Sequence, residues 1–411
     1  MLPPVLEVYV VWHPDDPEGE DIARALLGHF RGTTFSGLIG GAVEVYVRSA
    51  SATDDPAGTP RPLPCIAPLP YGIPTPGLTA VVLVGGLGLD AAVLDGGRWR
   101  DYVSDLAAAR DASGGTVGLF TVTTANNVLD GALGHLVGRI LGPAHGAFGS
   151  PEFEETLCRD VAQGIAQMGT AEADRVTVFV SHTKRRSITE QREVSSLVAL
   201  VRSVIADTRL GEFFDAHDLQ VNDDWADALT AAASTGALLA VRTDLYSTRP
   251  WCQREMLISK RMGMPVVILD ALTTGEERGS FVMDHVPRPP GRQDVKMAWR
   301  REDVVRVLGQ LVDEGLKRVL WRRQKTLAEA HGLPVDIDWW AAHAPEPLTF
   351  LDWLDTHEDL PRQRTEPIVV LHPDPPLGPD EIEVLEQVAR LASLHDSIEF
   401  LTPRGLAARG G

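Results

Sequence analysis

Leu245-Tyr246-Ser247-Thr248-Arg249-Pro250-Trp251-Cys252-Gln253-Arg254-Glu255 lies between a short apolar run, residues 237–241, and a helical pattern. Its reading decides the fold. Pro250 suits the first turn of a helix, where a missing N–H costs nothing. A strand that ends just before such a turn delivers a helix start to the edge of a sheet. Working outward, the same alternation repeats. Strands are expected at residues 176–181, 212–214, 237–241, 265–270 and 295–299, each short and β-branched or apolar, as in strands buried on both faces. Helices are expected at 188–206, 225–234, 251–262 and 301–322, and residues 276–284 read as neither helix nor strand with any clarity. Five βα units in a row predict a doubly wound parallel sheet with helices on both faces. Ligands of such sheets sit beyond the carboxyl ends of the strands.

The first 170 residues repeat the plan in a worn form. Strands are expected at 7–12, 43–48, 80–84 and 116–121, with helices at 20–30 and 151–168 and a Pro-rich loop from Ser49 to Pro76. Gly85-Gly86-Leu87-Gly88-Leu89-Asp90-Ala91 fits a loose dinucleotide fingerprint. It follows the third strand of its unit rather than the first, and Asp111, about twenty residues on, falls in a helix or loop. A glycine turn is the better reading. The helix at Trp99-Arg100-Asp101-Tyr102-Val103 is the counterpart of the Trp251 helix, with Val103 where that helix has Glu255. This domain is therefore expected to lack catalysis and to serve assembly or sensing.

The plan starts a third time at residues 366–373, where the strand again ends in His-Pro, as at His13-Pro14. A helix at 380–393 and a strand at 397–401 follow. One βαβ unit buries too little to stand alone; pairing with another part of the protein is one way out, but the preferred expectation is that it begins a third domain and is truncated. Four segments result: 1–170, 171–330, a Trp-, Pro- and acid-rich linker at 331–365, and 366–411.

A chain of 411 residues with 44% hydrophobic residues has material for two to three cores. Its net charge of −19 works against a duplex-binding footprint, so no nucleic-acid partner is expected. No apolar run reaches bilayer length and the N-terminus lacks a signal-peptide pattern, so no membrane partner is expected. Three widely spaced cysteines, Cys65, Cys158 and Cys252, give neither a disulfide framework nor a zinc spacing, which points to the cytoplasm and to no bound metal.

Residues 175–325 resemble a TIR (Toll/interleukin receptor) domain of the bacterial NAD-cleaving type. The resemblance rests on Phe179-Val180-Ser181-His182, on the loop Phe214-Asp215-Ala216-His217-Asp218-Leu219 with Asp223-Asp224-Trp225, and on the Tyr246 to Glu255 pattern. Val221-Asn222 departs from the Pro-Gly that many members carry before the acid-Trp pair; Asn tolerates a left-handed backbone, so a turn survives there. The resemblance implies a flavodoxin-like α/β fold with five-stranded parallel sheets, two in tandem plus a partial third unit. It implies NAD+ as substrate rather than cofactor, and Glu255 as the catalytic residue. It also implies self-association through TIR domains, with other TIR proteins or a nucleotide signal as further partners, and a role in anti-phage defence.

Chemistry supports the assignment of Glu255. Breaking an N-ribosyl bond passes through an oxocarbenium-like state. A fixed carboxylate stabilises that charge and binds ribose hydroxyls. Nicotinamide is cationic in NAD and leaves without a strong general acid, so one carboxylate suffices. Trp251 and Glu255, four residues apart, are expected on one helix face. Trp225 is placed either to stack on the ligand or as a buried helix-start aromatic. Lys184, Arg185 and Arg186 are placed to hold a pyrophosphate or to form a solvated loop. Ser181 and His182 are placed to line the pocket, with His182 more often a satisfied loop residue in such a position. Asp215 and Asp218 are expected to shape the acidic loop, and Cys252 to pack rather than react. Two other classes fit the same residues: a non-enzymatic TIR scaffold, and a nucleoside or nucleotide N-glycosyl hydrolase related to the deoxyribosyltransferases.

Overall fold

The computed structural model describes residues 4–35, 43–51, 58–67, 75–125, 128–137, 149–168, 176–183, 188–208, 210, 214–215, 236–331, 336–357, 367–392 and 398–409. The chain divides into two units, Met1–Ala173 with Val319–Gly332, and Asp174–Arg318 with Leu333–Gly411.

The first unit holds β1 (Leu6–Val11), β2 (Val43–Arg48), β3 (Leu78–Gly85) and β4 (Val117–Thr123), parallel and in the order β2-β1-β3-β4. Every residue of β1 and β3 is buried, as expected of central strands covered on both faces. Within the glycine stretch Gly85 ends β3 and Leu87 to Ala91 lie in the next helix, so Gly86 alone makes the turn. Gly86 precedes the Leu87–Leu94 helix, and the Asp16 carboxylate accepts hydrogen bonds from the Gly88 and Leu89 backbone N–H groups at 2.7 and 2.8 Å. A Cβ on Gly86 would lie 2.2 Å from the Asp16 carboxyl carbon. The place where a dinucleotide phosphate would sit is taken by the protein's own carboxylate.

In the second unit β5 (Thr177–His182), β6 (Phe214–Asp215), β7 (Gly236–Arg242) and β8 (Val266–Asp270) form a parallel sheet in the order β6-β5-β7-β8. Phe179 pairs with Phe214 and Leu238, so β5 is central. The sheet has four strands among the described residues, not the expected five. Residues 295–299 are not a strand, because Asp294 folds them into a turn. Its side chain accepts from the backbone N–H groups of Lys296 and Ala298, and Val295 is fully exposed. The expected strand at 212–214 is met at Phe214–Asp215; residues 211–213 and the expected helix at 225–234 lie outside the described residues. Residues 276–284 hold a single 3-10 turn, Phe281–Met283.

A second parallel sheet in this unit joins β9 (Trp339–Trp340), β10 (Ile368–Leu371) and β11 (Ile398–Leu401) in the order β11-β10-β9. The βαβ unit at the end of the chain thus finds its partner in the stretch read as a linker. That stretch supplies β9 and the Pro347–Thr356 helix, whose Phe350 and Trp353 share a core with Ile368, Val370 and Leu385. Aromatic packing explains why: Trp339 stacks on Trp353 with ring centroids 5.2 Å apart. The helix expected at 301–322 continues to His331, since residues 323–330 are good helix formers without a stop signal.

Candidate functional site

The Pro250–Arg261 helix begins with proline in its first turn and ends on Lys260, Arg261 and a left-handed Gly263, so its bounds follow from local chemistry. Its buried stripe is Cys252, Glu255, Met256, Ser259 and Lys260. Glu255 is the anomaly in that stripe, a carboxylate at 2% exposure. It needs a partner, and β5 supplies one. The Ser181 hydroxyl, on the next-to-last residue of the strand, donates to Glu255 Oε2. Ser181 Oγ also lies 2.6 Å from the Tyr246 hydroxyl. Serine has one proton. With that proton on Glu255, the Tyr246 O–H must donate to Ser181. A relay therefore runs Tyr246 to Ser181 to Glu255, joining the turn after β7, the end of β5 and the helix.

Burial is the main cause that pushes the Tyr246 phenol well above its ordinary range, followed by the Cys252 and Glu255 charges, so it stays a donor. Burial, then the Glu255 charge, pushes the Cys252 thiol up to about 12. Cys252 is therefore a packed residue, with its thiol 3.8 Å from the His182 carbonyl oxygen.

A second polar network fixes the turn that carries Tyr246. Arg242, the last residue of β7, grips Glu276 through two hydrogen bonds of 2.8 and 2.6 Å and approaches both oxygens of Asp270 at 3.3 Å. The Ser247 hydroxyl donates to the same Glu276, and Gln253 Nε2 donates to the Ser247 carbonyl at 2.6 Å. Burial alone would raise the Glu276 carboxyl. The bonds from Arg242 and Ser247 outweigh it and hold the carboxyl below its usual range. Asp244 accepts from the backbone N–H groups of Thr273, Thr274 and Gly275, which closes the loop beyond β8.

Of the sequence-predicted site residues, the structure brings together Glu255 and Ser181, but Ser181 serves the carboxylate as a hydrogen-bond donor. His182 ends β5 half-buried, its Nδ1 3.2 Å from the Thr183 carbonyl oxygen. Trp251 does not share the surroundings of Glu255. It is 44% exposed, with the Arg254 guanidinium 5.8 Å from its ring centroid. The i,i+4 offset turns the side chain about 40° around the axis, enough at a stripe's edge to separate solvent from core. Asp215 ends β6 beside Val180, at the same edge of the sheet as Ser181. Trp225, Lys184, Arg185, Arg186 and Asp218 lie outside the described residues. Tyr246 was quoted in the motif without a role; its contact with Ser181 spans 65 residues and left no local signal. Arg242 and Glu276 were missed altogether.

Among the described residues no three His, Cys, Asp or Glu side chains gather into a metal site, and no helix is long and apolar enough to cross a membrane. No protein-family model, curated protein or solved structure matches the chain.

Proposed function

We propose that the second unit is a flavodoxin-like, TIR-type NAD+ glycohydrolase with Glu255 as its catalytic carboxylate. The observation that carries this reading is the relay: a buried carboxylate, oriented by Ser181 and Tyr246, at the carboxyl edge of a parallel sheet. In the reaction the bond between the ribose anomeric carbon and the nicotinamide nitrogen breaks, and its electron pair leaves with neutral nicotinamide. Glu255 stabilises the ribosyl cation. Water then adds and releases a proton, giving ADP-ribose, or an adenine nitrogen of the same molecule adds, giving a cyclic product. The strand order β6-β5-β7-β8, with the first strand of the unit second from the edge, supports the flavodoxin-like reading. Three free cysteines suit the cytoplasm, where NAD is at hand. Self-association, other TIR proteins or a nucleotide signal would control the site in an anti-phage role.

The test is chromatography of NAD after incubation with concentrated protein, with and without a crowding agent, beside Glu255→Gln. Nicotinamide release that falls by about 10²-fold or more in the variant fits one lost electrostatic stabiliser. No release under either condition, or equal release by the variant, would sink the proposal. The second reading is a non-enzymatic scaffold. The 2% exposure of Glu255 favours it, because a carboxylate enclosed by its neighbours must be uncovered before it meets a substrate. Offering nucleosides and nucleoside phosphates in the same assay separates NAD cleavage from a general N-glycosyl hydrolase.

A further inference from the structure

His-Pro follows an interior strand in two of the sheets, and an aspartate comes next in both. After β1 the chain runs His13-Pro14-Asp15-Asp16, and after β10 it runs His372-Pro373-Asp374. Asp16 shows what a carboxylate at such an edge takes. Each of its oxygens receives one backbone N–H, from Gly88 on Oδ1 at 2.7 Å and from Leu89 on Oδ2 at 2.8 Å. Asp374 has no such pair. Its side chain is 9% exposed, and among the described residues none donates a hydrogen bond to either of its buried oxygens. Arg404 Nε lies 3.0 Å from Oδ2, but its N–H is not aimed at that oxygen. A carboxylate shut away from water is costly until donors reach it, so the position is suited to an occupant that brings them.

The neighbouring side chains do not bring them. His372 is buried, and its Nδ1 lies 2.8 Å from the Pro373 carbonyl oxygen, which takes the ring proton. Glu381 is an acceptor itself and holds the Gly378 N–H at 2.8 Å. Arg404 is the cover. It sits second in the Pro403–Arg409 helix with its side chain 72% exposed, so a rotation into water opens the carboxylate and leaves the strand in place. Two demands then define the occupant. It must set one donor on each oxygen, as Gly88 and Leu89 do for Asp16. It must also be cationic, because segment 366–411 carries eight Asp and Glu against three Arg and no Lys. A guanidinium meets both demands, since its planar fork places one N–H on each oxygen of a carboxylate. An ammonium group is a point charge without that fork.

We propose that Asp374, at the carboxyl edge of β10, is a receptor for a guanidinium group that enters when Arg404 swings into solvent. The recognised chemistry is that of arginine, carried either by a free small molecule or by an arginine residue of a peptide. Arg404 is a built-in competitor. It screens the carboxylate while the site is empty, and its misaligned, largely exposed ion pair is a weak one to displace. The exchange replaces one guanidinium by another, so the charge at the edge is balanced before and after. The site lies on a different sheet from Glu255, and it stands whether or not the chain cleaves NAD.

The experiment is isothermal titration calorimetry of the full chain with three probes: agmatine, acetyl-Gly-Arg-Gly-amide, and cadaverine as an amine of similar length. Arg404→Ala removes the competitor and should tighten agmatine binding by about tenfold or more, because the open site is then the resting state. Asp374→Asn keeps the shape, removes the charge and should weaken binding by about tenfold or more in the Arg404→Ala background. Cadaverine should bind at least about tenfold more weakly than agmatine. Circular dichroism confirms that each variant is folded. Tighter binding of agmatine than of the peptide assigns the site to a free small molecule, and the reverse assigns it to an arginine residue. The proposal is overturned by any of four results: neither guanidinium probe binds Arg404→Ala saturably, that variant binds no more tightly than the wild type, Asp374→Asn binds as well as its parent, or cadaverine matches agmatine.

Discussion

Lys260 lies in the last turn of the helix that carries Glu255, and its replacement gives a sharp test of how that helix is held. Its ammonium group is buried and donates to the Asp284 carbonyl at 2.6 Å and to both Glu346 oxygens at 2.8 and 3.0 Å. Glu346 is equally buried and caps the Pro347–Thr356 helix, so the ion pair ties the Glu255 helix to that helix. Lys260→Met keeps the aliphatic stem and removes the charge. It leaves the Glu346 carboxylate uncompensated at a buried position, a loss of about 3–5 kcal/mol. Adding Glu346→Gln removes that stranded charge and keeps an oxygen for the helix cap. What remains is the unpaired Asp284 carbonyl, about 1–3 kcal/mol. The double variant should therefore be more stable than the single by about 2 kcal/mol, a factor of about thirty in local opening. Hydrogen exchange of the Pro347–Thr356 helix, followed by mass spectrometry, reads this directly: protection falls in Lys260→Met and largely returns in the double variant. A loss below about 1 kcal/mol in the single variant, or no recovery in the double, would refute the view that this pair joins the two elements.

Ser181→Ala leaves both the Tyr246 hydroxyl and Glu255 without their shared partner and should cost about 1–3 kcal/mol, whereas Tyr246→Phe removes one donor and should cost about 0.5–1.5 kcal/mol. Urea denaturation gives the order, and Tyr246→Phe being the worse of the two would contradict the relay. Burial, with help from the Arg318 charge, pushes the His343 imidazole down to about 4 from 6.5. The folded state thus binds fewer protons than the unfolded one, so this contribution is complete above about pH 6.5 and is lost as the pH falls towards 4. Urea midpoints at roughly pH 7 and pH 5 should differ more in the wild type than in His343→Gln, and equal differences would contradict the assignment. In the first unit Gly86→Ala sets a methyl group 2.2 Å from the Asp16 carboxyl carbon and should lower stability by about 1–3 kcal/mol, with partial recovery in Gly86→Ala/Asp16→Ala. Thermal unfolding decides, and an unchanged midpoint in Gly86→Ala would contradict the close approach.

The strands at Thr177–His182, Gly236–Arg242 and Val266–Asp270 were legible because each is a short apolar run followed by turn chemistry, and burial on both faces demands that pattern. The glycine turn was legible for the same kind of reason, its place in the strand order. Residues 295–299 misled because Val-Lys-Met-Ala-Trp alternates like a strand; one aspartate ahead of it captured the backbone groups that a ladder would have needed. The 331–365 stretch misled through its prolines and acids. Its two tryptophans at 339 and 340 look like linker residues until Trp353, Phe350 and β10 are placed beside them. The place of Glu255 on a helix at the sheet edge was legible from its motif. Tyr246 as its second neighbour was not, nor was the Arg242 grip on Glu276, because side-chain contacts across 65 and 34 residues leave no period or spacing to read.

Each of the three parallel sheets has a carboxylate close behind its edge, and their partners differ in a way that bears on chemistry. Asp16 follows β1 and is held by two backbone N–H groups at a helix start. Releasing it would uncover that helix end, so it acts as a cap. Asp374 follows β10 and lies 3.0 Å from the Arg404 guanidinium, a charged partner. Glu255 alone of the three is carried by a helix rather than by a loop, which fixes its position, and one of its hydrogen-bond donors is the neutral hydroxyl of Ser181. A ribose hydroxyl offers a carboxylate the same kind of bond. Exchanging Ser181 for such a hydroxyl is therefore close to neutral in hydrogen-bond energy, whereas exchanging a pair of helix N–H groups or a guanidinium is not. Glu255 can therefore trade its Ser181 bond for a ribose hydroxyl without uncovering a helix end or stranding a guanidinium. That is the physical reason to look for ribosyl chemistry at this sheet before the other two.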